Sequence, residues 1–180
     1  MWRQGTLAWG LAVAAVGSSG AASAGTIGSD HPLGLGLALG LPTALTGKYY
    51  VSGDANALEF QIGAWGDFNH GYYGSGYGSL YLHVVYLWHP SILAEGSGFE
   101  VPWHVGVGGA LWEGGGYCGW GNGRSCGGDA LAVGARVPLG LDVNFDDPRF
   151  QVFGDLALNL LVFPVFNPDL GLQLGGRYYF

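Results

Sequence analysis

Charged side chains are scarce in this chain: Asp, Glu, Lys and Arg together make up 11 % of its 180 residues, where an ordinary soluble domain carries about 25 %. A surface so poor in charge is ill equipped to face water on all sides. Basic residues are the scarcest, six Lys and Arg against thirteen Asp and Glu for a formal net charge of −7. That balance excludes a basic nucleic-acid surface. Beyond the first two dozen residues no long hydrophobic run exists. Gly, Pro or a polar residue interrupts every candidate before the roughly 18 consecutive apolar residues that a membrane helix needs. Nucleotide-binding and metal motifs are also missing, and the glycines around Gly119 precede no helical pattern, so no cofactor is expected.

Cysteine is limited to Cys118 and Cys126. The N-terminus has the features of a secretory signal: Arg3, an apolar stretch over residues 7–16, and the small-residue site Ala22-Ser23-Ala24, with cleavage expected after Ala24. No Cys near that site invites lipid anchoring. In an exported chain the two cysteines are expected to close a short loop as a disulfide, because two thiols that far apart with no His nearby lack a metal-ligand set.

What is plentiful is apolar and small. Hydrophobic residues reach 49 %, aromatics 14 %, and there are 36 Gly. Aromatics at that level argue against disorder, and the length suits a single domain. The apolar residues alternate with a period of two, the signature of strands. Leu33, Leu35, Leu37, Leu39 and Leu41 oppose Gly34, Gly36, Ala38 and Gly40; Leu80, Leu82, Val84, Tyr86 and Trp88 oppose Tyr81, His83 and Val85. Splitting the longest alternating stretch at Pro42, which cannot donate to a ladder, predicts eight strands. They lie near residues 33–41, 45–51, 57–65, 79–89, 100–112, 130–145, 150–162 and 169–180. An even count returns both termini to one side, as in single-chain bacterial outer-membrane barrels, which also have short turns on the periplasmic side and longer loops outside. Residues 52–56 and 146–149 read as the short turns, and residues 66–78 and 113–129 as outer loops. Residues 90–99 read as a loop too long for its side.

Two features set the direction of the faces. Tyr49, Tyr86, Trp88, Trp103, Phe145, Phe150, Tyr178 and Phe180 all fall at the periplasmic ends of their strands, as an interfacial aromatic belt would. The apolar faces also carry about forty large side chains, far more than an eight-stranded barrel encloses. The apolar face must then point outward, leaving inside the face rich in Gly and Ala. That inner face carries Glu59, Gln61, His83, His104, Arg136, Asp142, Asp155, Asn159, Gln173 and Arg177. Glu59, Arg136, Asp142, Asp155 and Arg177 are expected to pair as a salt-bridge plug, since an isolated buried charge costs several kcal/mol. His83 and His104 are expected to be hydrogen-bonded fillers.

The C-terminal segment Gln173-Leu174-Gly175-Gly176-Arg177-Tyr178-Tyr179-Phe180 resembles the terminal signal of outer-membrane barrels. The resemblance implies that Tyr178 and Phe180 are read by the barrel-insertion machinery, with Gln173 and Gly175 at the matching polar and Gly positions. The segments Gly36-Leu37-Ala38-Leu39-Gly40-Leu41-Pro42-Thr43-Ala44-Leu45-Thr46-Gly47-Lys48 and Gly134-Ala135-Arg136-Val137-Pro138-Leu139-Gly140-Leu141 resemble a family of small outer-membrane barrels of unassigned function, similar to OmpA and OmpX domains. Leu41 and Ala44 depart from that family's acidic residue and Gly. The resemblance implies an eight-stranded up-and-down transmembrane barrel surrounded by outer-membrane lipid; a monomer is expected.

A non-enzymatic surface role is expected, with Tyr72, Tyr73, Tyr77, Tyr117 and Trp120 as contact residues for an extracellular partner, because rigid aromatics on Gly-rich loops bury area at low entropy cost. The alternatives are an enzyme acting on lipid acyl chains, using His70 near Ser75 or Ser125 with Asp129, and a narrow passage for small apolar solutes.

Overall fold

Strict alternation of large apolar with small or polar residues gives each segment one face for a dry surrounding and one for a crowded interior. The chain forms strands accordingly. The computed structural model describes residues 26–65, 79–113, 131–163 and 166–180. Eight strands follow in order: β1 (Leu33–Gly40), β2 (Thr43–Ser52), β3 (Asn56–Trp65), β4 (Ser79–Gly96), β5 (Phe99–Glu113), β6 (Leu131–Phe145), β7 (Phe150–Phe163) and β8 (Asn167–Tyr179). Each pairs antiparallel with the next, and β8 pairs with β1 to close the barrel. The break at Pro42 falls between β1 and β2, as the sequence predicts.

The ladder register fixes the size of this barrel. Followed from Leu35 through Gly47, Phe60, Val84, Gly109, Ala135, Leu160 and Pro168, and then along the β8–β1 register, the path arrives ten positions above its start. With strands about 4.8 Å apart and a rise of about 3.3 Å per residue, that stagger implies a tilt near ~41° and a backbone radius near ~8 Å. Only a minority of the large side chains fit in so narrow an interior.

Burial follows the same rule. Along β6 nearly every second residue is buried, Ala132, Gly134, Arg136, Pro138, Gly140, Asp142 and Asn144, while Leu131, Val133, Val137, Leu139, Leu141 and Phe145 are exposed. Leu37, Leu39, Leu45, Leu170, Leu172 and Leu174 are each more than 60 % exposed. Outward aromatics gather at the end where β1 begins and β8 ends, the two termini of the barrel: Tyr49 and Tyr86 flank Leu58 across the sheet, and Phe145, Phe150 and Tyr178 are registered neighbours.

The segment 90–99 corrects the sequence reading. It is not a long loop, because β4 continues to Gly96 and turns through Ser97 and Gly98, whose φ of +84° suits Gly. Two register shifts, between Trp88 and Ser91 and between Ile92 and Ala94, let the ladder survive Pro90. This hairpin overhangs the rim, since β3 begins at Asn56 opposite Trp88, with a last bond from the His89 N–H to the Ala55 carbonyl (2.8 Å). Its free edge is blunted by Pro90, the two bulges and Glu95, the usual devices against strand addition.

Glycine permits close approach at the seam between the first and last strands. A Cβ on Gly36 would run into the backbone of Gly176 and Arg177. On the outer face Phe60 covers Gly47, and Phe150 covers Gly176, aromatic rings shielding backbone that would otherwise be bare. Substituting Gly36→Val is expected to prevent closure between β1 and β8. A sharp loss of the heat-modifiable folded band after refolding into detergent would show this; full recovery of that band would contradict the close-approach account.

Candidate functional site

The interior is the chemically distinctive part of the molecule. β1 contributes nothing larger than Ala to it, since Gly34, Gly36, Ala38 and Gly40 line its inner face. Into that space project the longer groups of the other strands. The structure places Glu59, Arg136, Asp142, Asp155 and Arg177 inside, all at most 1 % exposed.

Two centres organise these groups. Nearer the end with the termini, Asp142 Oδ2 accepts from Lys48 Nζ at 2.6 Å and lies 3.1 Å from His104 Nδ1 and 3.3 Å from His89 Nε2. The other ring nitrogen of His104 is 2.8 Å from Asp155 Oδ1. Carboxylates only accept, so this bridging arrangement is satisfied by an imidazolium donating to both. Gly140 makes room for it, because a Cβ there would strike Asp155 and His104.

The second centre is built on Arg177. It pairs with Glu59, donates to Thr46 Oγ1 from Nε (3.1 Å) and Nη2 (2.8 Å) and to Gln151 (3.0 Å), and stacks 3.8 Å from the centroid of the Phe153 ring. Glu59 is also 3.1 Å from His83, whose other nitrogen is 2.8 Å from the Tyr81 hydroxyl. Gln61 and Gln173 exchange hydrogen bonds at 3.1 and 2.7 Å. Below them Gln151 donates to Asn144 and Asn144 to Glu100 (2.7 and 2.9 Å).

Arg136 departs from the expected pairing. It donates to the amide oxygens of Asn159 (3.0 Å) and Gln173 (3.3 Å), and among the described residues no salt bridge joins it to a carboxylate. Glu59 and Asp142 lie nearer the opposite end, where Arg177 and Lys48 take them. Lys48, His89, Thr46, Asn144 and Gln151 also face inward, beyond the residues that the sequence pattern assigns to the interior. For Lys48 the signal was present, since outward Leu45, Gly47 and Tyr49 put residue 48 inside by parity.

His89, His104 and Asp142 bring three ligand atoms within 4.8 Å of one another. The Lys48 ammonium stands among them, 2.9 Å from His89 Nε2 and 2.6 Å from Asp142, so the chain supplies its own cation where a metal would sit. Two apolar clusters lie inside with the polar groups, one toward each end: Tyr81, Ala110, Trp112, Ala132 and Leu161 in one, and Ile27, Tyr50, Ala57, Leu87 and Tyr179 with Val85 in the other.

At the C-terminus Gln173 and Gly175 face inward, Gly175 beneath the Phe153 ring, while Tyr178 and Phe180 face outward with their ring centroids 5.2 Å apart. Cys118 and Cys126, the contact aromatics Tyr72, Tyr73, Tyr77, Tyr117 and Trp120, and the pairs His70–Ser75 and Ser125–Asp129 lie outside the described residues, as does the N-terminal signal.

Closure, an apolar exterior and a filled polar core define an eight-stranded all-antiparallel barrel of OmpA-like architecture. The solved structure of the N-terminal β-barrel domain of Pseudomonas aeruginosa OprF is similar, with a TM-score of 0.56 at 15 % identity, over 82 % of this chain and 95 % of that domain. At that identity the likeness is one of fold. No protein-family model and no curated protein matches the chain.

Removing Arg177 alone should leave the buried Glu59 without its guanidinium partner, with only His83 and Gln61 beside it, at a cost of about 3–5 kcal/mol. Urea unfolding of Arg177→Met and of Arg177→Met with Glu59→Gln checks this. The double variant is expected to regain much of the loss, and a double variant no better than the single would contradict the pairing.

Proposed function

We propose that the chain is a non-enzymatic integral protein of a bacterial outer membrane, exported by an N-terminal signal removed after Ala24 and holding two loops, residues 66–78 and 114–130, at the cell surface. The observation that carries this reading is the outer face. A continuous apolar surface, Leu-rich through its middle and bounded by aromatics at the end with the termini, suits lipid and no aqueous surrounding. Water would penalise its exposure at roughly 25 cal/mol per Å².

The interior supports an anchor over a pore. Charges are paired or hydrogen-bonded at close range, and two inward apolar clusters share the space with them. In this reading Tyr72, Tyr73, Tyr77, Tyr117 and Trp120 form the contact surface, Cys118 and Cys126 brace the second loop, and Tyr178 and Phe180 serve insertion.

Membrane fractionation with a urea wash is the direct test. The protein should stay with the outer membrane and migrate faster unboiled than boiled; release by urea, or recovery in the soluble fraction, would overturn the reading. As a finer check, Leu139→Arg near the middle of the apolar band should cost about 2–4 kcal/mol in lipid vesicles, where a soluble barrel would tolerate an outward Arg.

A further inference from the structure

One member of the apolar cluster nearest the termini does not come from a strand. Ile27 is 1 % exposed and packs with Tyr50, Ala57, Leu87 and Tyr179, all inward-facing residues of β2, β3, β4 and β8. The chain ahead of β1 therefore folds back into the mouth of the barrel.

The hook that does this is built locally. Ile27 is extended (φ −79°, ψ 129°), and Gly28 reverses the chain at φ +100°, with its N–H donating to the His31 carbonyl at 3.2 Å. Gly28 lies so close to Asp54 that a Cβ would stand 3.1 Å from its Cα. Two contacts hold the base of the hook: Arg149 Nη1 donates to the His31 ring at 2.8 Å, and the Tyr50 N–H donates to the Pro32 carbonyl at 2.9 Å.

Behind Ile27 lies the first ionic centre. The Tyr50 ring is 5.4 Å from the His89 ring, and Lys48 Nζ sits 5.0 Å from the Tyr50 centroid. Tyr50 thus separates the hook from the Lys48–Asp142 pair. Strand residues are held on both sides by ladders, but the hook has no ladder of its own beyond a single bridge between Ile27 and His31.

We propose that residues 26–31 are a removable plug, seated by Ile27 and latched through His31 on Arg149, whose position decides whether water reaches the Lys48–Asp142 centre from the end of the barrel where the termini lie. The plug makes the buried charges conditionally accessible. Its withdrawal would open one mouth without breaking any rung of the barrel.

The test uses the full mature chain folded in detergent micelles, with Cys118→Ser and Cys126→Ser removing background thiols and Ala57→Cys reporting beneath the plug. The probe is a charged maleimide. With the native hook the thiol should be protected; with Ile27→Asp its labelling rate should rise by about tenfold or more, the scale set by one lost buried Ile side chain. Gly28→Ala, which strains the reversal and crowds Asp54, should do the same, and Ile27→Val should stay protected. Unboiled gel mobility reports that each barrel remains closed. Rapid labelling with the native hook, or protection that persists in both Ile27→Asp and Gly28→Ala, would overturn the proposal. Micelles make this assay independent of the outer-membrane reading, which fractionation tests separately.

Discussion

Interior volume is the constraint from which the rest of this structure follows. Eight strands staggered by ten residues close at a backbone radius of about 8 Å, and the space inside takes Gly, Ala, a few long polar chains and a limited set of large rings and aliphatics such as Tyr81, Phe153, Leu87 and Tyr179. The large apolar residues are pushed outward for want of room. The same shortage explains why the inner face of β1 is Gly and Ala: the Tyr179 ring lies against Gly34, and the backbone of Gly176 and Arg177 crowds Gly36.

A polar interior follows from an apolar exterior only if its charges are satisfied, because burying each ion costs several kcal/mol. Lys48, Arg136 and Arg177 stand against Glu59, Asp142 and Asp155, with His104 bridging the two aspartates. These centres act across the barrel, joining β2 to β6, β5 to β7 and β3 to β8. They add transverse ties to a sheet whose ladders run only around it. The packing that supplies those ties also fills the described interior, in keeping with the anchor proposed above.

Much of this was legible in the sequence. Period-two alternation gave the strands and their faces, and Pro42 divided β1 from β2. Other features were hidden for identifiable reasons. Pro90 with the glycines at 96 and 98 imitates a loop, and only the two bulges allow β4 to continue through it. Lys48 sits between an outward Gly and an outward Tyr, a row whose apolar character is weak, so its inward parity was easy to miss. The partner of Arg136 depends on height along the axis, which neighbours in sequence do not report. Ile27 precedes the first strand and carries no periodic signal at all.

The central claim is that the apolar face meets hydrocarbon while the opposite face is sealed from it. Quenching of tryptophan fluorescence by lipids brominated on their acyl chains reads this directly, using variants of the full chain that keep one tryptophan each. Trp88 faces outward and Trp112 faces inward, 42 % and 5 % exposed. Strong quenching of Trp88 and little of Trp112 are expected. Equal quenching, or quenching of Trp112 alone, would contradict it.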